Sequence, residues 1–444
     1  MGGETWLRRL FFSLSLVFCS YMGGPLPLSV WATTYTLIDR EIEKNRLPEF
    51  FEPGDQIEFV SGRTYKGALK VQLKNGGDKD NRLQIKSSGE EKAIIQAGDD
   101  APAILILNSS GIKISNLKLE ASPQNKQSGL VLSADEIGSF REIELTEIEV
   151  AGFGNHGIEV RGTRLGAGFH HVFIHDVNAH HNRNSGITVH SEDRQTSSPY
   201  IGHSDVEISN ARAEYNLGDP NALGHSGDGI VMSGVDGGFI KNSTGAENGS
   251  LSNAPTEGPV AIWVWNSRNV EISHCVAHHN HTAGGFDGGA LDIDGSTVNC
   301  ILHDNLAYDN DGAGVLVTTF VGSTGNHGAK VYGNVLRDNG RKNGYGGIEV
   351  IGDVTGAEIH DNKVFVSRSI VSKEQPAALR IRRFAGKNLS IFRNTFAARD
   401  GLRAIDQESR TGISLIDNHI CHSENEFLHL LDSVTKQLHP GQNN

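Results

Sequence analysis

Asp292 and Asp294 stand two residues apart in the segment GALDIDG, where apolar residues alternate with the carboxylates. On an extended strand, two such residues point to one face with Cα atoms ~6.6 Å apart. Their rotamers can then bring two carboxyl groups to the separations that an acid and a base need for cleaving an acetal. Like charges at that range raise one pKa, so one group keeps its proton while its neighbour ionises. Asp287 in GGFDGGA and Asp228 in HSGDGI fall just ahead of equivalent strands and are placed to join the pair. Both are also favoured turn residues beside glycine, so a purely structural use competes with a chemical one.

A second departure from pattern is the pair Trp263 and Trp265 in AIWVWNS. Alternation sends Ile262 and Val264 inward and both indoles outward, where flat rings beside carboxylates suit the apolar face of a sugar. The competing reading has a loop folded over them as ordinary packing, and residues 248–257 (NGSLSNAPTE) are the candidate cover.

The elements that must position these residues are legible as repeats. AIWVWNSRNVEISHCVAHHN and ALDIDGSTVNCILHDNLAYDN state one unit twice, each closing on Asn (Asn280, Asn310). The series Asn182, Asn216, Asn248, Asn280, Asn310 and Asn339 recurs after 34, 32, 32, 30 and 29 residues. An inner series contains Asn210, Asn242, Asn305, Asn334, Asn362, Asn394 and Asn418. Asn accepts the left-handed backbone of a tight bend, and its amide can hydrogen-bond the next coil. Period-2 strands between such bends predict coils of parallel strand stacked ~4.8 Å apart. The register then predicts one outward column: Glu159 and Arg161, Thr188 and His190, Val231 and Ser233, the Trp pair, the Asp pair, Leu316 and Thr318, Glu349 and Ile351, and Arg380 and Arg382. His225 falls in the loop leading to Asp228. A histidine in either place, His190 or His225, can act as a general acid or base.

Composition agrees with a turn-rich β protein: the 444 residues include 53 Gly and only 3 Met. The formal net charge of −13 excludes a nucleic-acid binder or an anionic-membrane binder, which need basic patches, while leaving the sign of any single groove open. Arg8 and Arg9 precede the apolar run LFFSLSLVFCSYM and the small residue Ala32, as in an export signal. The run is too short to span a bilayer as a helix, so no membrane insertion is expected once the signal is removed. Phe18 before Cys19 disfavours lipidation. The expected mature protein is secreted, periplasmic or held at the cell surface.

Cys275, Cys300 and Cys421 have neither metal nor redox spacing and read as small buried hydrophobes. His180, His181, His278, His279 and His281 flank the ladder asparagines where sister coils carry Tyr215, Glu247, Asp309 and Asp338. A solvated stack fits that variation better than a zinc site. The long loops HSEDRQTSSPYIGHSD and LGDPNALGHSGD flank the Trp and Asp rows and mark the binding side.

The repeats GIxV…VxIxxNxxxxN, over residues 57–427, resemble the right-handed parallel β-helix proteins of the pectin lyase-like superfamily. The resemblance implies an all-β solenoid of about 11–12 coils. It would follow a signal (1–32) and an N-terminal cap (33–56) containing a short amphipathic helix, and precede a tail (428–444). It also implies a polysaccharide substrate in a groove on the flank. Hydrolysis by the paired aspartates is one reading; the alternatives are a calcium-dependent lyase or uronate epimerase, and a non-catalytic, adhesive glycan binder. For a lyase, Asp292 and Asp294 would hold Ca²⁺ and Arg380 or Arg382 would accept a proton or clamp an anion. Catalytic roles are thus considered for Asp228, Asp287, Asp292, Asp294, His190, Arg380 and Arg382, and substrate contact for Trp263, Trp265, His225 and Glu349. The spacing of Asp287, Asp292 and Asp294 predicts that three carboxylates converge rather than four. No metal is then needed, and none is assigned. Nothing in the sequence specifies an oligomer.

Overall fold

The computed structural model describes residues 32–428 apart from 123, 192–199, 370, 400, 422 and 424. The expected export signal and C-terminal tail therefore lie outside the described residues, except for Ala32 and Leu428, as does most of the loop after Ser191.

Alternating sequence becomes alternating burial. Leu83–Ser87 and Ile104–Leu107 place every second side chain in the interior, which is what a strand with one face on a core requires. Twelve strands, from Leu69–Val71 to Ile405–Gln407, form one sheet in which each strand pairs in parallel with the coil before and after it. A 28-stranded second sheet carries the rest of each coil. The core is a set of aliphatic columns: Ile158, Ile187, Ile230, Ile262, Leu291, Val315, Ile348 and Leu379 lie in register and are buried. Each such side chain contributes about 1.5–3 kcal/mol by leaving water.

The corners carry the asparagines. Asn216 donates from its side chain to Oδ1 of Asn248 at 3.0 Å, Asn248 to Asn280 at 3.0 Å, Asn280 to Asn310 at 2.8 Å and Asn310 to Asn339 at 2.7 Å. A second ladder runs Asn305, Asn334, Asn362, Asn394, Asn418. Two expectations are corrected. The left-handed residue is the one before the ladder asparagine: His181, Tyr215, Glu247, His279, Asp309 and Asp338 have φ between 50° and 57°. Asn210 and Asn242 likewise occupy that exposed, left-handed position (φ 51° and 50°), and the buried second-ladder position after Asn242 is Ser243. Ser243 accepts the amide of Ala211, and one coil on Cys275 gives its amide to Asn305, so the inner ladder begins with smaller residues.

The capping segment also differs. Thr34–Leu37 is a strand paired with Gln56–Phe59, and the helix shrinks to one 3₁₀ turn, Ile42–Lys44. An open strand edge is better satisfied by another strand than by a helix. The three described cysteines are free and buried. The flank histidines stack: His278 lies on Tyr308 at 4.9 Å, and His303, Tyr332, His360 and Phe392 form a continuous pile at 4.7, 5.1 and 4.8 Å.

Asn280→Ala removes bonds to Gly245, Asn248 and Asn310 and leaves buried polar groups unpaired. The expected loss is about 2–5 kcal/mol in urea unfolding, against under ~0.5 kcal/mol for Asn242→Gly at its exposed left-handed corner. Equal losses would contradict the ladder's role.

Candidate active site

The outward column forms as the register requires. Val231 pairs with Trp263, Trp263 with Asp292, Asp292 with Leu316, Leu316 with Glu349, and Glu349 with Arg380. What the side chains meet there differs along its length.

At the centre, Asp228, Asp287, Asp292 and Asp294 share one electrostatic cluster around His225. Asp228, which the spacing set apart from the other three, is linked to them through the charges of His225 and Asp287, and its Oδ1 reaches the next row at the Val260 amide. Asp292 lies on the strand Gly289–Ile293, is 3% exposed, and its Oδ1 has no hydrogen-bond partner. Burial, then the charges of Asp294 and Asp287, push its pKa well above the usual value. Asp294 is half-buried and accepts the Gly295 amide at 2.6 Å; burial raises its pKa to about 6 against that bond and the pull of His225. Asp228 is likewise raised to about 6 by burial, opposed by His225. Two residues apart, one on the strand and one just past its end, are thus a carboxyl group that holds its proton and one that releases it near neutrality.

Asp228 and Asp287 each also hold backbone. Oδ1 of Asp228 accepts the Val260 amide at 2.8 Å, and Oδ2 of Asp287 accepts the Gly258 amide at 3.0 Å, so both pin the chain entering the Trp row. Asp287 is left-handed (φ 47°), as its turn reading predicts. His225 donates from Nδ1 to the Gly258 carbonyl at 2.6 Å, leaving Nε2 3.8 Å from Glu257. Burial opposes its charge, but Asp228, Asp287, Glu257 and Asp294 outweigh burial and raise its pKa.

The tryptophan pair divides. Trp263 is only 4% exposed and packs with Val231 and Val260, so it is not an open platform. Its cover is His225, ring centroids 4.8 Å apart, from the loop before Asp228; the ring over it does not come from residues 248–257. Its indole N–H faces Asp228 without making a hydrogen bond of proper geometry. Trp265 remains half-buried, edge-to-face with Phe320 at 6.0 Å. Phe320 (43% exposed) and Phe286 (41%), neither singled out by the sequence, supply the open aromatic surface.

The remaining candidates are elsewhere or engaged. His190 bonds Glu159 at 3.0 Å, three rows from Asp292, which is ~14 Å along the stack. Glu349 is fully buried, paired with Arg382 and accepting the Gly346 amide at 2.8 Å, so it does not face substrate. Arg382 also lies over the Tyr345 ring at 5.3 Å. Arg380, 6% exposed, is spent on the carbonyls of Gly344 and Gln375 and on Glu374 and Asp406. A buried guanidinium must be paired, so neither arginine is left as a clamp. Tyr345, which sequence reasoning missed, holds the Asp287 amide at 3.4 Å from the coil two rows on; only folding brings them together.

A calcium site needs several convergent oxygens. Among the described residues the only three His, Cys, Asp or Glu groups with ligand atoms all within 4.8 Å of one another are His419, Cys421 and Glu426, at the far end of the stack.

The family described as "Right handed beta helix region" matches residues 167–364. The chain folds as a right-handed parallel β-helix. No curated protein matches its sequence. Among solved structures, the β-helix is similar to the PL6 family alginate lyase AlyGC (12% identity, TM-score 0.55, covering 87% of this chain and 51% of that one). It is also similar to a mannuronic acid specific polysaccharide family 6 lyase from human gut microbiota (11%, 0.53, 91% and 94%). A GH136 lacto-N-biosidase from Eubacterium ramulus aligns at 14% identity and TM-score 0.48 over 85% of this β-helix, which spans 64% of that enzyme's length. At these identities the likeness is one of fold.

A carboxyl group whose folded pKa is raised stabilises the protein fully below its unfolded value, and that stabilisation is lost as pH rises through the folded value. Asp292→Asn fixes the neutral form. It is expected to melt above wild type at pH 8, with the gap closing below pH ~4. A gap independent of pH would show that Asp292 is not held protonated.

Proposed function

We propose that this β-helix is an exported glycoside hydrolase acting on a polysaccharide laid along its outward column. The observation that carries the reading is the pairing of the buried, proton-retaining Asp292 on Gly289–Ile293 with the half-buried Asp294 just past that strand's end. In a hydrolytic step the glycosidic carbon–oxygen bond breaks and the leaving oxygen takes the proton of Asp292. A water molecule gives its proton to Asp294 as its oxygen bonds the anomeric carbon. His225, whose charge the surrounding carboxylates favour, offsets part of the negative charge beside Asp294. Trp265 and Phe320 offer ring faces and edges to a pyranose. Export rests on the N-terminal Arg8, Arg9 and apolar run. Among the described residues, no helix is long and apolar enough to cross a membrane. The β-helix neighbours whose names state action on alginate or mannuronate support a carbohydrate substrate by analogy of fold.

Purified protein is expected to release reducing ends from polysaccharide without the ultraviolet-absorbing unsaturated product of elimination. Asp292→Asn is expected to lower kcat by about 10²–10⁴-fold with KM little changed. Unaltered turnover, or an unsaturated product, would remove the assignment.

Activity is expected to rise through pH ~6 as Asp294 ionises and to fall at higher pH as Asp292 loses its proton. A chelator is expected to leave the rate unchanged. Loss restored by added Ca²⁺ would turn the reading to a lyase.

A further inference from the structure

Around the catalytic pair the charges are one-sided. Asp228, Asp287, Asp292, Asp294 and Glu257 act on one another or on His225, five carboxyl groups against one imidazole. Among the described residues, the arginines on these rows and the lysine of the loop against Asp287 are committed to protein partners. Arg380 holds Gly344, Gln375, Glu374 and Asp406, and Arg382 holds Glu349 and Glu374. Lys342, from the loop against Asp287, donates to the Thr282 carbonyl. Arg161, on the far side, is tied to Ser133 and Glu159.

A sugar carboxylate entering this field would meet like charge at short range, and among the described residues the cation beside it, His225, is already shared by Asp228, Asp287, Glu257 and Asp294. A hydroxymethyl group in its place carries no charge to be repelled, and it can both donate to the carboxylates and accept from protonated groups such as Asp292. The apolar edge of Trp265 and Phe320 serves either sugar, so charge separates them.

We infer that the site selects uncharged glycans and rejects polyuronates, although the fold neighbours named above include lyases of uronate polymers. The inference rests on reading Asp292 and Asp294 as the catalytic pair.

The test is binding, with turnover measured separately. Full-length Asp292→Asn protein, and Asp294→Asn should the first misfold by circular dichroism, would be titrated calorimetrically at pH 7. The probes are oligogalacturonate and oligomannuronate, each beside its carboxyl-reduced, neutral counterpart. At least one neutral member is expected to bind, at least about 100-fold tighter than its uronate partner. Glu257→Lys in the same background is expected to narrow that gap at least about threefold. Equal or tighter binding of a uronate member, no binding by either neutral oligosaccharide, or a gap untouched by Glu257→Lys would overturn the inference. Neutral-selective binding in a protein whose wild type releases no reducing ends would instead sink the hydrolytic reading and leave the selectivity standing.

Discussion

Everything in this molecule depends on how a strand turns a corner without glycine. Each ladder corner places a non-glycine residue such as Asp309 or Glu247 in the left-handed region, which costs about 1–2 kcal/mol per residue. The amide that follows has no partner within its own coil. The ladder asparagine of the next coil supplies it, as Asn280 accepts a bond from the Asn248 amide and Asn310 one from the Asn280 amide. Because each asparagine is both donor and acceptor, the bonds stack only if every coil has the same register. That shared register lines up the aliphatic columns inside and the functional column outside.

The ladder therefore lets the outward column vary freely. Stability resides in the inward residues and the corners, so two carboxylates can occupy successive outward positions, Asp292 on Gly289–Ile293 and Asp294 just past its end, although the first is buried. Burial comes from loops rather than from the barrel. The segment ahead of Asp228 brings His225 over Trp263, and Tyr345 reaches Asp287 from two rows away.

This division explains what could be read from the sequence. Strand alternation and asparagine spacing are local and repeated, so the coils, their register and the outward column down to the pairing of Trp263 with Asp292 were legible. Loop coverage is neither local nor periodic. Alternation could say that Trp263 points outward, but not that an imidazole lies on it, nor that Glu349 and Arg380 are buried by the segments around Gly346 and Glu374. The cluster around His225 was half visible: its residues were named, but the convergence of Asp228 with the others needed the path of a loop. The misplacement of Asn210 and Asn242 has a simpler cause, since both the corner residue and the ladder residue tolerate Asn and lie one position apart.

Asp228 and Asp287 each give one oxygen to a main-chain amide of the Trp row while facing the reactive cluster. Asparagine or serine at either position would still offer an acceptor to that amide. Inheritance can therefore strip charge from the surroundings of Asp292 and Asp294 while the coil path survives, and the electrostatics of the pocket can drift without passing through an unfolded ancestor.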